Sequence, residues 1–309
     1  MRKPLQVCFL LSACILFLGS PFRADAIVVA GTDPNDPLYQ SPATGVSFLT
    51  IGSTACSGAL LVTGQHILTA AHCVVNASGP TAATARFETP SGTFIYNSAS
   101  IAYHPNFDSS NLLAGFDIAI IYLGLTVDAS IDRYPLFTDS DELGQVGIVV
   151  GWGREGTGTS GGDGGTVGNR RRQGENEIDQ ILNGRILIYD FDNGNPAQNV
   201  LGGTGRGQME VSTYRGDSGG PTFLGGRIAG IHSFFACTPD PSGGRRCLSP
   251  PDIDTSLNGT FGELFGDTRV SSYIDWITST ISDIPEPNTY FLALAGLAAV
   301  VLRARTLRR

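Results

Sequence analysis

Three short stretches hold residue types that can pass a proton among themselves. Leu68-Thr69-Ala70-Ala71-His72-Cys73 sets a histidine directly after an apolar run. Phe116-Asp117-Ile118-Ala119-Ile120 sets a carboxylate at the head of another. Gly216-Asp217-Ser218-Gly219-Gly220-Pro221 sets a serine in a turn built of glycines. A serine hydroxyl is a poor nucleophile at neutral pH and needs a base within hydrogen-bond reach. His72 can take the Ser218 proton and return it to a leaving amine. Asp117 can hold the imidazole in one tautomer and stabilise the imidazolium. Taken singly, each stretch has a dull explanation: a structural histidine, a turn aspartate, a glycine turn. Taken together, in this order, they are highly specific.

Holding such groups in place takes rigid elements, and the chain supplies mainly strands. Short apolar runs at Gly45–Ile51, Ala59–Val62, Ile118–Leu123, Val146–Val150, Ile186–Phe191 and Arg227–Phe235 are mostly rich in Val, Ile and Phe and bounded by Gly, Pro, Asn or Asp. Phe223-Leu224-Gly225-Gly226-Arg227-Ile228 reads as a tight hairpin, because Gly-Gly takes positive φ at both central positions. Val270–Ile281 has helical spacing, with Val270, Tyr273, Ile274, Ile277 and Ile281 on one side. Many strands and one late helix predict an all-β barrel or sandwich. Glycine, at 40 of 309 residues, is about double its usual share. The Gly-, Thr-, Ser- and Asn-rich segment Gly153–Gly174 reads as a mobile surface loop. Arg170-Arg171-Arg172 near its end reads as solvated charge or as a proteolytic nicking site.

The chain opens with Arg2 and Lys3, an apolar run from Leu5 to Leu18, and a small-residue site at Ala24-Asp25-Ala26. That is the layout of a cleaved signal peptide over residues 1–26. The run is short for a membrane span. The whole chain has a net charge of −8. Removing residues 1–26 and 288–309 takes away seven of the 20 basic and one of the 28 acidic residues, leaving about −14. Phosphate binding needs a basic face, so no nucleic-acid partner is expected. Cys8 and Cys14 leave with the signal. The remaining Cys56, Cys73, Cys237 and Cys247 are even in number in an exported chain and read as disulfides. Their spacing is not that of a zinc site, and neither metal nor cofactor is expected.

The three stretches together resemble the trypsin/chymotrypsin-like serine endopeptidases, and the likeness covers nearly all of residues 27–281. "TAAHC" and "GDSGGP" match that family letter for letter, and "FDIAII" matches apart from the residue before Asp117. Cys56-Ser57-Gly58, Gly151-Trp152-Gly153 and Tyr273-Ile274-Asp275-Trp276-Ile277 match further landmarks. The resemblance implies two six-stranded antiparallel β-barrels, about 27–135 and 136–269, a closing helix at 270–281, and a cleft between the barrels. It implies a monomer acting on protein or peptide substrates through His72, Asp117 and Ser218. The backbone N–H groups of Gly216 and Ser218 would form the oxyanion hole, and Ser233 would share hydrogen bonds with Asp117. Cys56–Cys73 would tie down the histidine turn and Cys237–Cys247 would clip a loop. Two further disulfides common in the family are absent, since Tyr214 stands where one cysteine would be. Relatives with a mutated triad act as silent binding modules; this chain keeps every member.

In this family the mature chain starts with Ile or Val, whose new ammonium group pairs with the Asp before the nucleophile. Here these would be Ile27 and Asp217, so the signal-peptide cut would itself switch the enzyme on. The pocket-base position falls on Ser212, which argues against a basic P1 residue. Phe234 and Phe235 at the pocket wall favour a small or apolar P1. His232, with Arg215 helping, leaves an acidic P1 open. Residues 282–309 resemble the bacterial PEP-CTERM sorting signal: Ile284-Pro285-Glu286-Pro287-Asn288, the apolar run Tyr290–Leu302, then Arg303, Arg305, Arg308 and Arg309. The resemblance implies signal peptidase and an exosortase as processing partners, and a transmembrane contact held only transiently through residues 290–302. It implies delivery to the periplasm, cell surface or extracellular matrix of a Gram-negative bacterium.

Overall fold

In a computed structural model, residues 27–168, 170–203, 205–242 and 246–283 are described. The signal segment, most of the sorting segment and the apolar run at 290–302 lie outside them. Among the described residues no helix is long and apolar enough to cross a membrane.

Two curled antiparallel sheets carry the fold. The first runs Gly92–Asn97, Thr84–Thr89, Val46–Ile51, Thr54–Leu60, His66–Thr69, Ala119–Tyr122, Ser100–Tyr103. The second runs Arg172–Glu177, Val146–Gly151, Pro221–Leu224, Arg227–Cys237, Glu263–Arg269, Ile186–Asp190, Gln180–Leu182. Each holds seven segments, one more than the expected six, for a simple reason. The two edge segments of the first sheet are separated in sequence only by Ser98 and Ala99. Those of the second are separated only by Ile178 and Asp179. In each sheet one strand kinks and passes from one edge to the other, which closes the barrel. Gly225 (φ +55°) and Gly226 (φ +76°) make the predicted hairpin, joining Leu224 to Arg227.

The closing helix begins as a 3₁₀ turn, Val270–Tyr273, and continues as α-helix through Ile274–Asp283. A two-pronged ion pair fixes its start: Arg269 Nε and Nη2 donate to the fully buried Glu142 at 2.9 and 2.7 Å, and Ser271 adds a third donor. The guanidinium and hydroxyl hold the Glu142 carboxyl below its ordinary range despite burial. Tyr273 donates its hydroxyl to the Gly115 carbonyl at 2.6 Å. The helix thereby steadies the loop that leads into Asp117.

The segment Gly153–Gly174 is not a free loop. Gly156–Thr157 forms a strand beside Val28–Val29, and several of its glycines are buried because another group occupies the space of a Cβ. A Cβ on Gly158 would lie 2.2 Å from the Phe261 ring, and one on Gly162 would lie 2.4 Å from Tyr214. Glycine here permits close approach rather than mobility. The arginines that follow are correspondingly interior. Arg172 is fully buried and donates to Pro34 O, Asn35 Oδ1 and Glu155 Oε2. Arg171 is buried, donates to the Ser41 carbonyl at 3.2 Å, and lies over the Trp152 ring. These two side chains fasten the segment after the N-terminal strand to the second barrel. Neither the solvated nor the nicked reading of the arginine run fits such burial. Removing one partner of a buried charged cluster is strongly destabilising. Arg172→Ala should therefore cost about 3 kcal/mol, seen as a lower denaturant midpoint at unchanged slope; an unchanged midpoint would contradict the buried clamp.

Candidate active site

The ladder between His66–Thr69 and Ala119–Tyr122 sets Thr69 opposite Ala119. His72, three residues past one strand end, and Asp117, two before the other strand start, therefore meet. His72 sits in the short helix Ala71–Val74, tied by the Cys56–Cys73 disulfide. His72 Nδ1 lies 2.6 Å from Asp117 Oδ2, and the His72 backbone N–H donates to Oδ1 at 2.8 Å. Asp117 is buried and takes a third donor, Ser233 Oγ at 2.6 Å, while Thr268 Oγ1 holds its main-chain carbonyl at 2.8 Å. With donors on both carboxylate oxygens, Asp117 has one orientation available. Burial alone would depress the His72 pKa; the charge and hydrogen bond of Asp117 outweigh it, and the net shift is upward.

Ser218 lies in the turn before Pro221–Leu224, and Pro221 pairs with Ile231. That pairing carries Ser233 back beside the Ser218 turn. Gly219 N–H donates to His232 O, and His232 N–H to Gly220 O. His72, Gly216, Ser218, Ser233, Phe234 and Phe235 line one cleft of about 430 Å³. Among the described contacts Ser218 Oγ makes no hydrogen bond to His72 Nε2; such bonds are often long before substrate arrives.

The turn's amides are oriented by what holds their carbonyls. Arg154 N–H donates to Arg215 O at 2.8 Å, and Gly220 N–H donates to Asp217 O at 2.8 Å. A trans peptide directs its N–H opposite to its C=O. The N–H groups of Gly216 and Ser218 are thus both turned away from those partners, and neither donates to a described residue. Gly216 has φ +98°, a region that side chains avoid.

Ser57 was missed in sequence as anything but a landmark. Its hydroxyl accepts from Trp152 N–H at 3.0 Å and donates to Gly216 O at 3.0 Å. Its N–H donates to Ser218 O at 2.8 Å, and its carbonyl accepts from Thr69 Oγ1 at 2.8 Å. One small residue of the first barrel thereby holds the main chain of the Ser218 turn at both Gly216 and Ser218. The available signal was a hydroxyl in a strand between Cys56 and Gly58, whose partners are distant in sequence.

Asp217 is fully buried. Gly153 N–H and Tyr214 N–H donate to its carboxylate at 2.7 and 2.9 Å. No lysine or arginine side chain lies within ion-pair reach of it among the described residues. Burial raises its pKa to about 6, against the pull of those two donors. Ile27 is fully buried as well, and carries φ +64°, which is strained for a β-branched residue. Val28–Val29 runs between Val211–Ser212 and Gly156–Thr157.

The pocket residues separate into two groups. His232 is almost wholly buried, with Nδ1 2.8 Å from Asp267 Oδ1 and Nε2 3.2 Å from Val150 O. Burial opposes its charge, but Asp267 dominates and raises its pKa. Both ring nitrogens are thus engaged by protein acceptors, which leaves no free nitrogen for a substrate carboxylate. Ser212 is buried and donates to Thr213 O. Phe234 and Phe235 flank the cleft, and the Phe235 ring packs on Tyr214 at 4.9 Å. Arg215 is exposed and lies over both of those rings.

The groups close enough to share a cation include Cys56, His72 and Cys73, and also Cys237, Cys247 and Asp252. Their sulfurs are committed to the Cys56–Cys73 and Cys237–Cys247 disulfides and offer no thiolate.

Comparison with known proteins agrees with this geometry. The Trypsin family profile matches residues 34–246, and that of the PEP-CTERM protein-sorting motif matches residues 283–309. Trypsin II-P29 of Gallus gallus is 26% identical over 86% of this chain and 98% of its own length. Mast cell protease 8 of Mus musculus is 25% identical over 74% of this chain and 80% of its own. The solved structure of neuropsin, a serine protease of mouse brain, aligns with a TM-score of 0.56 at 20% identity, covering 78% of this chain and 96% of that one, and shares the fold. With two curled barrels, a cleft between them and the Trypsin profile across most of its length, the chain belongs to the trypsin family of serine proteases and carries a PEP-CTERM sorting motif.

Proposed function

We propose that this protein is an exported serine endopeptidase. The supporting observation is the arrangement around Asp117: one buried carboxylate receives His72 Nδ1, His72 N–H and Ser233 Oγ, with Ser218 in the same cleft. His72 removes the Ser218 proton as Oγ attacks the scissile carbonyl, and then protonates the leaving amine. Water deacylates the serine by the same base. The N–H groups of Gly216 and Ser218 receive the oxyanion, and losing one such donor costs about 3 kcal/mol of transition-state stabilisation. A silent binding module would have no use for amides held ready in this way.

The P1 side chain is small or apolar, because Phe235 packs across the pocket wall and His232 is spent on Asp267. Residues 283–309 mark the protein for exosortase processing and delivery outside the cytoplasm.

Signal-peptide removal after Ala26 completes the site. Ile27 is held at a φ that a β-branched residue avoids, and cutting the peptide bond before it releases that torsion. The new α-ammonium then supplies the cationic partner that no lysine or arginine side chain gives Asp217. N-terminal sequencing of the secreted protein should return Ile27 as the first residue, and material retaining even one extra residue should react at least tenfold more slowly with a fluorophosphonate. Equal reactivity would remove the activation scheme.

A fluorophosphonate should label the processed protein, and Ser218→Ala should abolish labelling with no loss of melting temperature. Persistent labelling would place the nucleophile elsewhere. Protonated His72 cannot act as base, so kcat/KM should fall as pH drops through its pKa. Because Asp117 raises that pKa, the midpoint should lie above about 6.5, the value of a free histidine. A lower midpoint would show that Asp117 does not govern the ring.

A further inference from the structure

Beside the catalytic cleft lies a second cavity of about 640 Å³, and Arg215 and Phe235 form the wall between the two. Its other lining residues are Arg246, Thr255, Ser256 and Leu257. None of these six is acidic. Arg215 and Arg246 are both exposed, and neither has a carboxylate within ion-pair distance among the described residues. Charge is sparse and mostly negative in this protein, at about −14 for residues 27–287. Two arginines facing one cavity with no acidic partner are therefore a local exception.

Both side chains are also held in place. The Arg215 guanidinium rests 5.8 Å from the Tyr214 ring centre and 5.9 Å from that of Phe235. Arg246 Nη2 donates to Thr255 Oγ1 at 3.2 Å, and Cys247 next to it is fixed by its disulfide to Cys237. Asp240, a loop carboxylate whose pKa Arg246 helps to lower, does not line the cavity. A guanidinium already oriented loses less freedom when it meets a carboxylate, and it offers that group two parallel N–H donors. Two like charges in one concave site also reinforce each other's field.

We propose that this cavity takes an acidic side chain of the substrate, a Glu or Asp close to the scissile bond, held between Arg215 and Arg246. The inference rests on the endopeptidase reading and adds a substrate class to it. The P1 residue occupies the cleft beside Ser218, and the carboxylate sits across the Phe235 wall. The enzyme thereby selects acidic peptides without an acidic P1 residue.

The test uses the secreted, processed protein and matched quenched peptides carrying Glu, Gln or Lys at one position at a time around a fixed small P1 residue. At one position the Glu peptide should show a kcat/KM about tenfold above its Gln counterpart, and the ratio should shrink between 0.05 and 0.5 M salt. Arg246→Gln should bring the ratio close to one, and Arg246→Glu should favour the Lys peptide. Melting temperatures within about 2 °C of the parent would establish that these variants are folded; if one is not, Arg215→Gln serves the same comparison. Cleavage with equal Glu and Gln rates at every position, or a preference untouched by Arg246→Gln and Arg215→Gln, overturns the inference alone. Absence of cleavage of any peptide overturns the endopeptidase reading and the inference with it.

Discussion

A carboxylate sealed from water directly before Ser218 sets the terms for the rest of this molecule. Asp217 has no solvent contact, and its described hydrogen-bond donors are two backbone amides. An isolated buried carboxylate costs several kcal/mol, so its surroundings are shaped to reduce that cost. Gly151 and Gly153 bring backbone so near that a Cβ on either would fall within 2.5 Å of the carboxyl group. The turn from Tyr214 to Gly220 then closes around it by main-chain hydrogen bonds. The position of Ser218 follows from the packing of the turn around Asp217 and from the Ser57 N–H that holds the Ser218 carbonyl at 2.8 Å.

The two barrels meet through shared polar atoms as much as through apolar packing. Ser57 reaches from the first barrel to Gly216, Ser218 and Trp152, while Trp152 Nε1 returns a bond to Val46 O at 2.9 Å. Thr268 and Tyr273 of the second half hold Asp117 and Gly115 of the first. Neighbouring buried hydrogen bonds of this kind act as a network, so loss of one member is felt by the rest. His72, Asp117 and Ser218 lie on opposite sides of the junction and stay in register because these bonds cross it.

Much of this was legible in the sequence. Strands with sustained Val, Ile or Phe content were found, because hydrophobic content marks them, whereas the short His66–Thr69 and the sparsely apolar Thr84–Thr89 were not. Arg172–Glu177 was not, since its buried positions are Arg172, Gly174 and Asn176, and such a face carries no apolar signal. Glu263–Arg269 was missed for a related reason: Glu263, Asp267 and Thr268 are buried in it alongside the lone aromatic Phe265, so its inward face is mostly polar. His72, Asp117 and Ser218 stood out as candidates from their flanking letters alone. The glycine-rich stretch misled, because composition does not tell a glycine that must be small from one that must be free. His232 likewise had two readings until Asp267, thirty-five residues away, was seen against its ring.

Each barrel seals its own margins through a kinked strand, which leaves little exposed backbone for another chain to pair with. One interruption stands out. Arg227–Cys237 is eleven residues long, yet its neighbour Pro221–Leu224 accompanies it only as far as Ile231. From Ser233 onward the strand is paired to Glu263–Arg269 on one flank and open on the other, next to Ser218. An extended peptide can lie along that open flank as an added strand, whereas a helix or a folded domain cannot match its spacing. That flank matches the spacing of extended chain, whether unfolded or looped, and not that of a compact surface.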